Sequence, residues 1–175
     1  MAARAVFLDR DGVLVIPEFR DGRSFAPQRL EDFRLYPEAQ RCVSSIKSAG
    51  YQVIVVTNQP DVGAGLVDRA VVDAMHERLL QELPVDALEV CFHTTNDNCD
   101  CRKPKPGMLA RAALRHSIDC TNSIMVGDRA SDVEAGRAVG CTTIFIDLGY
   151  RDEQAGQADH IVSSLAEATN VILKA

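Results

Sequence analysis

The chain has 175 residues, 46% hydrophobic and 25% charged, which suits one globular domain with a core of its own. A formal charge of −6 argues against a nucleic-acid partner, so any phosphate must be caught by a local positive site. No apolar run is long enough for a membrane span or a secretory leader, so the expectation is a cytoplasmic monomer whose six cysteines stay reduced.

In chain order, residues 5–8 are apolar throughout and read as a strand covered on both faces. Residues 15–36 are rich in Arg, Asp and Pro without a clear period, and are expected to form an active-site flap. A helix is predicted over 37–49, closed by Gly50, and a second strand over 53–56. The next helix, 68–83, stops before Pro84 and carries Val71, Val72, Met75 and Leu79 on one side, as packing against a sheet requires. A weaker strand at 88–92 leads to a helix at 107–116. Strands at 123–126 and 142–146 flank a helix at 131–139 closed by Gly140, and a last strand and helix fall near 160–173. This alternation predicts a Rossmann-like α/β fold: a doubly wound parallel sheet with helices on both faces, one domain over 1–175, and no insertion long enough for a large cap. Ligands of such sheets bind at the carboxyl ends of the strands.

The chemistry-bearing residues stand at those ends. Asp9 and Asp11 follow the first run, and carboxylates at i and i+2 of an extended chain point to one side. Asp9 would ligate Mg²⁺ with one oxygen and attack phosphorus with the other. Asp11, a further candidate Mg²⁺ ligand, would protonate the leaving group and then activate water. Taken alone, the motif is equally an acidic turn after a strand. Thr57 closes the second run as a candidate phosphate donor, with Asn58 and Gln59 as candidate substrate contacts. In Arg102-Lys103-Pro104-Lys105-Pro106, Lys103 would neutralise Asp9 and the phosphate, and Arg102 would fork onto a second anionic group. The alternative is a solvated basic loop. Asp128 follows the fourth run as a second carboxylate for Mg²⁺; Asp132 would bind through water, bond to Lys103, or simply complement a helix start.

Four parts in this order resemble the haloacid dehalogenase superfamily, whose motifs are matched by Asp9 with Asp11, Thr57, Lys103, and Asp128 with Asp132. The resemblance implies a Mg²⁺-dependent phosphatase working through an aspartyl-phosphate, with Asp9 as nucleophile, Asp11 as acid/base and Asp128 as metal ligand.

Cys91, His93, Cys99 and Cys101 offer one imidazole and three thiolates within eleven residues, a soft tetrahedral set that selects a structural Zn²⁺. A disulfide such as Cys91–Cys101 is the alternative in an oxidising compartment. A cysteine loop running into Cys101-Arg102-Lys103-Pro104 is similar to the heptose bisphosphate phosphatases and the related histidinol phosphatases, which lack a large cap. That likeness implies a small phosphorylated metabolite, first a sugar bisphosphate of carbohydrate metabolism, with histidinol phosphate as runner-up. The chain departs from the pattern at Pro60-Asp61-Val62-Gly63 and at Leu14-Val15-Ile16-Pro17-Glu18, both on the substrate side. A catalytically silent zinc-loop interaction module is the competing reading from another class, and a phosphatase of DNA ends is disfavoured by the acidic charge. Cys42, Cys120 and Cys141 read as small buried hydrophobes, His76, His116 and His160 as surface or boundary side chains, and Glu77 and Glu82 as solvated helix charge.

Overall fold

A computed structural model describes residues 2–175. The elements in order are β1 (Ala5–Leu8), β2 (Glu18–Arg20), β3 (Arg23–Phe25), α1 (Ala39–Ser48), β4 (Gln52–Asn58), α2 (Pro60–Gly63), α3 (Arg69–Glu82) and β5 (Ala87–Cys91). They are followed by α4 (Gly107–His116), β6 (Ile124–Gly127), α5 (Ala130–Ala138), β7 (Thr142–Ile146), β8 (His160–Val162) and α6 (Leu165–Ile172).

Six strands form one parallel sheet in the order β5-β4-β1-β6-β7-β8. After β1 the chain builds outward through β4 and β5, then returns to the other side of β1 with β6. The reversal leaves a crevice outside the carboxyl ends of β1, β4 and β6.

The apolar runs of β1, β4, β6 and β7 lack alternation because these strands are covered on both faces, whereas the edge strand β8 is mostly exposed. Successive residues of β1 enter different cores: Val6 and Leu8 pack with Ile46 of α1 and Met75 and Leu79 of α3, while Ala5 and Phe7 pack with Met108 and Leu109 of α4. Helix α5 sits so close to the sheet that a Cβ built on Gly136 would lie 2.6 Å from Met125 Cβ.

The expected Rossmann-like sheet is present, and three local differences have physical causes. The second strand runs past Val56 to Asn58 because β5 continues the ladder, pairing Thr57 with Val90 and Asn58 with Cys91. The segment expected as a flap contains an antiparallel hairpin, Glu18–Arg20 against Arg23–Phe25, whose turn places Asp21 and Gly22 at positive φ. Cys42 and Cys141 are buried as expected, whereas Cys120 is half-exposed because it opens a surface turn rather than a strand.

Gly136→Ala should force Met125 or the α5 backbone to move. A loss of roughly 1–3 kcal/mol, as for other overpacked cores, is expected, read as a lowered urea midpoint with an unchanged denaturation slope.

Candidate active site

The crevice collects one charged side chain from each of four neighbouring segments. Asp9 follows β1, Asp128 follows β6, Asp132 lies in the first turn of α5, and Lys103 enters from the loop before α4. Lys103 is 3% exposed, and its ammonium meets three oxygens: Asp132 Oδ1 at 2.6 Å, Asp9 Oδ1 at 2.9 Å and the Val56 carbonyl at 2.7 Å. The Val56 carbonyl accepts a hydrogen bond, and the two carboxylates pair with the ammonium by charge. Burial works against the Lys103 charge, but the Asp132 and Asp9 carboxylates outweigh it and hold its pKa above the ordinary lysine value.

One lysine does not balance three carboxylates. Oxygens of Asp9, Asp128 and Asp132 all lie within 4.8 Å of one another, and all three residues are buried. Burial, then the Asp9 and Asp132 charges, push the Asp128 carboxyl well above its usual range; burial and Asp9 raise Asp132 to about 6 against the pull of Lys103. Both Asp128 oxygens and the Tyr150 hydroxyl are buried without a hydrogen-bond partner among the described residues. A hard divalent cation with its waters fits this donor set, which is all oxygen and short of positive charge. Gly12 makes room for the Asp128 carboxylate: at φ +87°, a Cβ there would lie 2.0 Å from Asp128 Oδ2.

Asp11 is placed differently from its sequence expectation. Its carboxylate lies outside the triad, because Arg10 Nε and Nη2 approach it at 3.0–3.1 Å and Gln59 Nε2 donates to Oδ2 at 2.8 Å. The expected substrate contacts Asn58 and Gln59 are likewise engaged with protein. Asn58 pairs with the Lys103 backbone in both directions at 3.1 Å, and Gln59 bridges Asp11 to the Thr57 hydroxyl, which accepts at 2.9 Å. Both border the cleft, but their amides brace catalytic candidates. Thr57 is buried, and as acceptor from Gln59 it keeps its own proton for an anion.

The cysteine loop holds the other end of Lys103. Cys91 Sγ lies 2.9 Å from Cys101 Sγ and 3.7 Å from Cys99 Sγ, with His93 Nδ1 at 3.2 Å from Cys101 and 3.6 Å from Cys91. The edges of a tetrahedron around an ion with ligands at about 2.0–2.3 Å are about 3.3–3.8 Å, so the four ligands stand close to a closed metal shell. Burial, then the Cys101 sulfur, push the Cys91 thiol up to about 12; an ion would reverse this by drawing the thiolate to itself.

A cleft of about 510 Å³ opens above the triad, bordered by Arg102, Arg129, Ser24 and Phe25 among others. Arg129 was not anticipated from the sequence. Its Nη2 donates to the Ser24 hydroxyl at 2.7 Å and its Nη1 lies 3.3 Å from Glu153, which ties the β2–β3 hairpin to the edge of the site. Its signal was its place directly after Asp128 at a strand end.

His76 corrects an expectation outright. It is 5% exposed, with Nε2 3.0 Å from Arg10 Nη1, because Arg10 points inward between the sheet and α3. His116 is half-exposed and His160 exposed, as expected of surface or boundary positions, and Glu77 and Glu82 are exposed on α3.

Two strand ends, a helix start and a loop that bring three carboxylates and a lysine to one site suited to a hard cation place the chain in the class of metal-dependent phosphatases. A family model described as "HAD-hyrolase-like" matches residues 100–168. The chain is 35% identical over 154 residues to a D-glycero-beta-D-manno-heptose-1,7-bisphosphate 7-phosphatase of Pseudomonas aeruginosa, covering 85% of this chain and 84% of that one. It is 36% identical over 139 residues to the protein of the same name in Helicobacter pylori, covering 76% of each. In structure it is similar to the D,D-heptose 1,7-bisphosphate phosphatase of B. bronchiseptica complexed with magnesium and phosphate, with a TM-score of 0.81, 27% identity and 98% of both chains covered. The chain belongs to the HAD-like phosphatase family, within the group that holds these heptose bisphosphate phosphatases.

Burial, then the Arg10 charge, lower the pKa of His76 from 6.5 to about 3, with Asp73 opposing and Arg69 assisting. The unfolded chain therefore binds this proton first as pH falls, so stability is full above about 6.5 and is lost between there and about 3. His76→Gln keeps an acceptor for Arg10 but does not titrate. Its urea midpoint should fall less than that of the native chain between pH 7 and pH 5.

Proposed function

We propose that the chain removes the 7-phosphate of a heptose 1,7-bisphosphate through an aspartyl-phosphate intermediate. The observation that carries this reading is the meeting of Asp9, Asp128 and Asp132, with Lys103 paired to Asp9 and Asp132, beside a cleft bordered by arginines. The activity for which the relatives from Pseudomonas aeruginosa and Helicobacter pylori are named supports the choice of substrate.

In this reading Asp9 is the nucleophile. Lys103 and the Arg10 amide, at 2.9 and 2.8 Å, both meet its Oδ1, which leaves Oδ2 for the attack. The new bond runs from Oδ2 to phosphorus as the ester oxygen departs, and Asp11 gives that oxygen its proton. Asp11, now a carboxylate, takes a proton from water, whose oxygen displaces Asp9 and releases phosphate. Lys103 and the Thr57 hydroxyl balance charge on the phosphoryl oxygens throughout. Asp9, Asp128 and, directly or through water, Asp132 would hold Mg²⁺, which supplies charge neutralisation at the transferring group. With both oxygens clamped, Asp11 is kept for proton transfer rather than for ligation.

Arg102 borders the cleft and would grip the phosphate that is not cleaved, since a guanidinium forks onto phosphate. Cys91, His93, Cys99 and Cys101 would close around a structural Zn²⁺ and so fix where Arg102 and Lys103 stand. Thiolate ligation of this kind suits a reducing compartment such as the cytoplasm.

Heptose 1,7-bisphosphate and histidinol phosphate assayed side by side should differ in kcat/KM by at least about tenfold in favour of the bisphosphate. Equal rates or the reverse order would assign another substrate. Asp9→Asn should lower kcat on the order of a thousandfold or more, because an amide cannot accept the phosphoryl group; unchanged turnover would support a different nucleophile. Metal analysis of the purified protein should find one zinc per chain, lost in Cys101→Ser together with a rise in KM.

A further inference from the structure

A buried relay runs from α3 to the acid/base candidate. Arg10 is wholly buried, and its guanidinium divides its donors between two partners. Nε lies 3.1 Å from both Asp11 oxygens and Nη2 3.0 Å from Oδ1, while Nη1 lies 3.0 Å from His76 Nε2. A guanidinium carries only donors, so the His76 nitrogen facing it is the unprotonated acceptor. The depressed His76 pKa agrees with this tautomer. The Phe33 ring lies 5.7 Å from the Arg10 guanidinium, and Arg78 packs on the same ring at 5.8 Å while donating to the Phe33 carbonyl at 3.0 Å.

Charge balance alone does not explain this arrangement. Asp11 already neutralises Arg10, and a neutral imidazole adds no charge. What it adds is direction: the guanidinium is planar, so an acceptor fixing Nη1 at one end sets the plane of the Nε–Nη2 fork at the other. That fork, with Gln59 Nε2 at 2.8 Å, decides where the Asp11 carboxylate points.

We propose that His76 is a positioning residue of the phosphatase: it holds Arg10 in the orientation that aims Asp11 at the substrate oxygen. The inference rests on Asp11 acting as acid/base, as set out above. His76 touches neither substrate nor metal ligand and acts only through Arg10.

Three variants test it, each with its folded fraction measured by thermal melting. His76→Leu removes the acceptor, His76→Gln restores an acceptor oxygen, and Arg10→Lys keeps the charge but loses the fork. Arg10→Lys and His76→Leu should lower kcat by about tenfold with KM changed less than about twofold, since a misaimed acid loses part of its contribution while binding is untouched. His76→Gln should recover most of that loss. Normal kcat in folded His76→Leu or in Arg10→Lys, equal impairment of His76→Gln and His76→Leu, or a loss confined to KM would each overturn the proposal. Should His76→Leu fail to fold, Arg10→Lys and His76→Gln decide it. Asp11→Asn separates the two levels: an active Asp11→Asn removes the acid/base assignment and the relay with it, while an inactive one beside a fully active His76→Leu removes the relay alone.

Discussion

Three buried carboxylates crowd together at the reversal point of the sheet, two of them paired with one ammonium, and most of the molecule serves to keep them there. Left alone, Asp9, Asp128 and Asp132 would repel one another in a site of low dielectric, and burial already drives Asp128 and Asp132 toward their neutral forms. Lys103 removes one charge of three. The remaining excess of negative charge, on buried oxygens alone, suits a hard divalent cation.

Such a cluster demands rigid delivery of every member. Asp9 and Asp128 are fixed by neighbouring strands whose ladders pair Leu8 with Val126. Lys103 comes from a loop, which is a softer element, and its position is secured at two points. The Asn58 amide grips its backbone from the end of β4, and the cysteine cluster closes the loop immediately before it. A structural ion held by Cys91, His93, Cys99 and Cys101 would turn that loop into a fixed mount for Lys103.

The walls of the site are built by the same economy. Hairpin β2–β3 supplies Ser24 and Phe25 to the cleft and is tied down by Arg129 and by the bond from the Arg151 amide to the Gly22 carbonyl at 3.0 Å. Phe19 rests against Tyr150, with ring centroids 5.4 Å apart, and the Tyr150 hydroxyl is buried next to Asp128. The small hairpin thus borders the cleft and reaches Asp128 only by way of Tyr150.

The sequence by itself determined the order of the main-sheet strands and their crossover helices and the four candidate motifs, but not the β2–β3 hairpin or α2. Doubly covered parallel strands are continuous apolar runs, and chemistry in such folds follows them, so Asp9, Thr57 and Asp128 stood out by position, while Lys103 was marked by its basic, proline-flanked loop. It also marked the four metal-type ligands of the cysteine loop by spacing. Only the tertiary structure decided what each polar side chain faces. Asp11 turned to Arg10 instead of joining the triad, Asn58 and Gln59 turned to Lys103 and Asp11, and His76 went inward as an acceptor for a buried guanidinium. The reason is range: periodicity reports which face of its own element a residue occupies, whereas a hydrogen-bond partner 66 positions away, as for Arg10 and His76, exists only once the elements have packed.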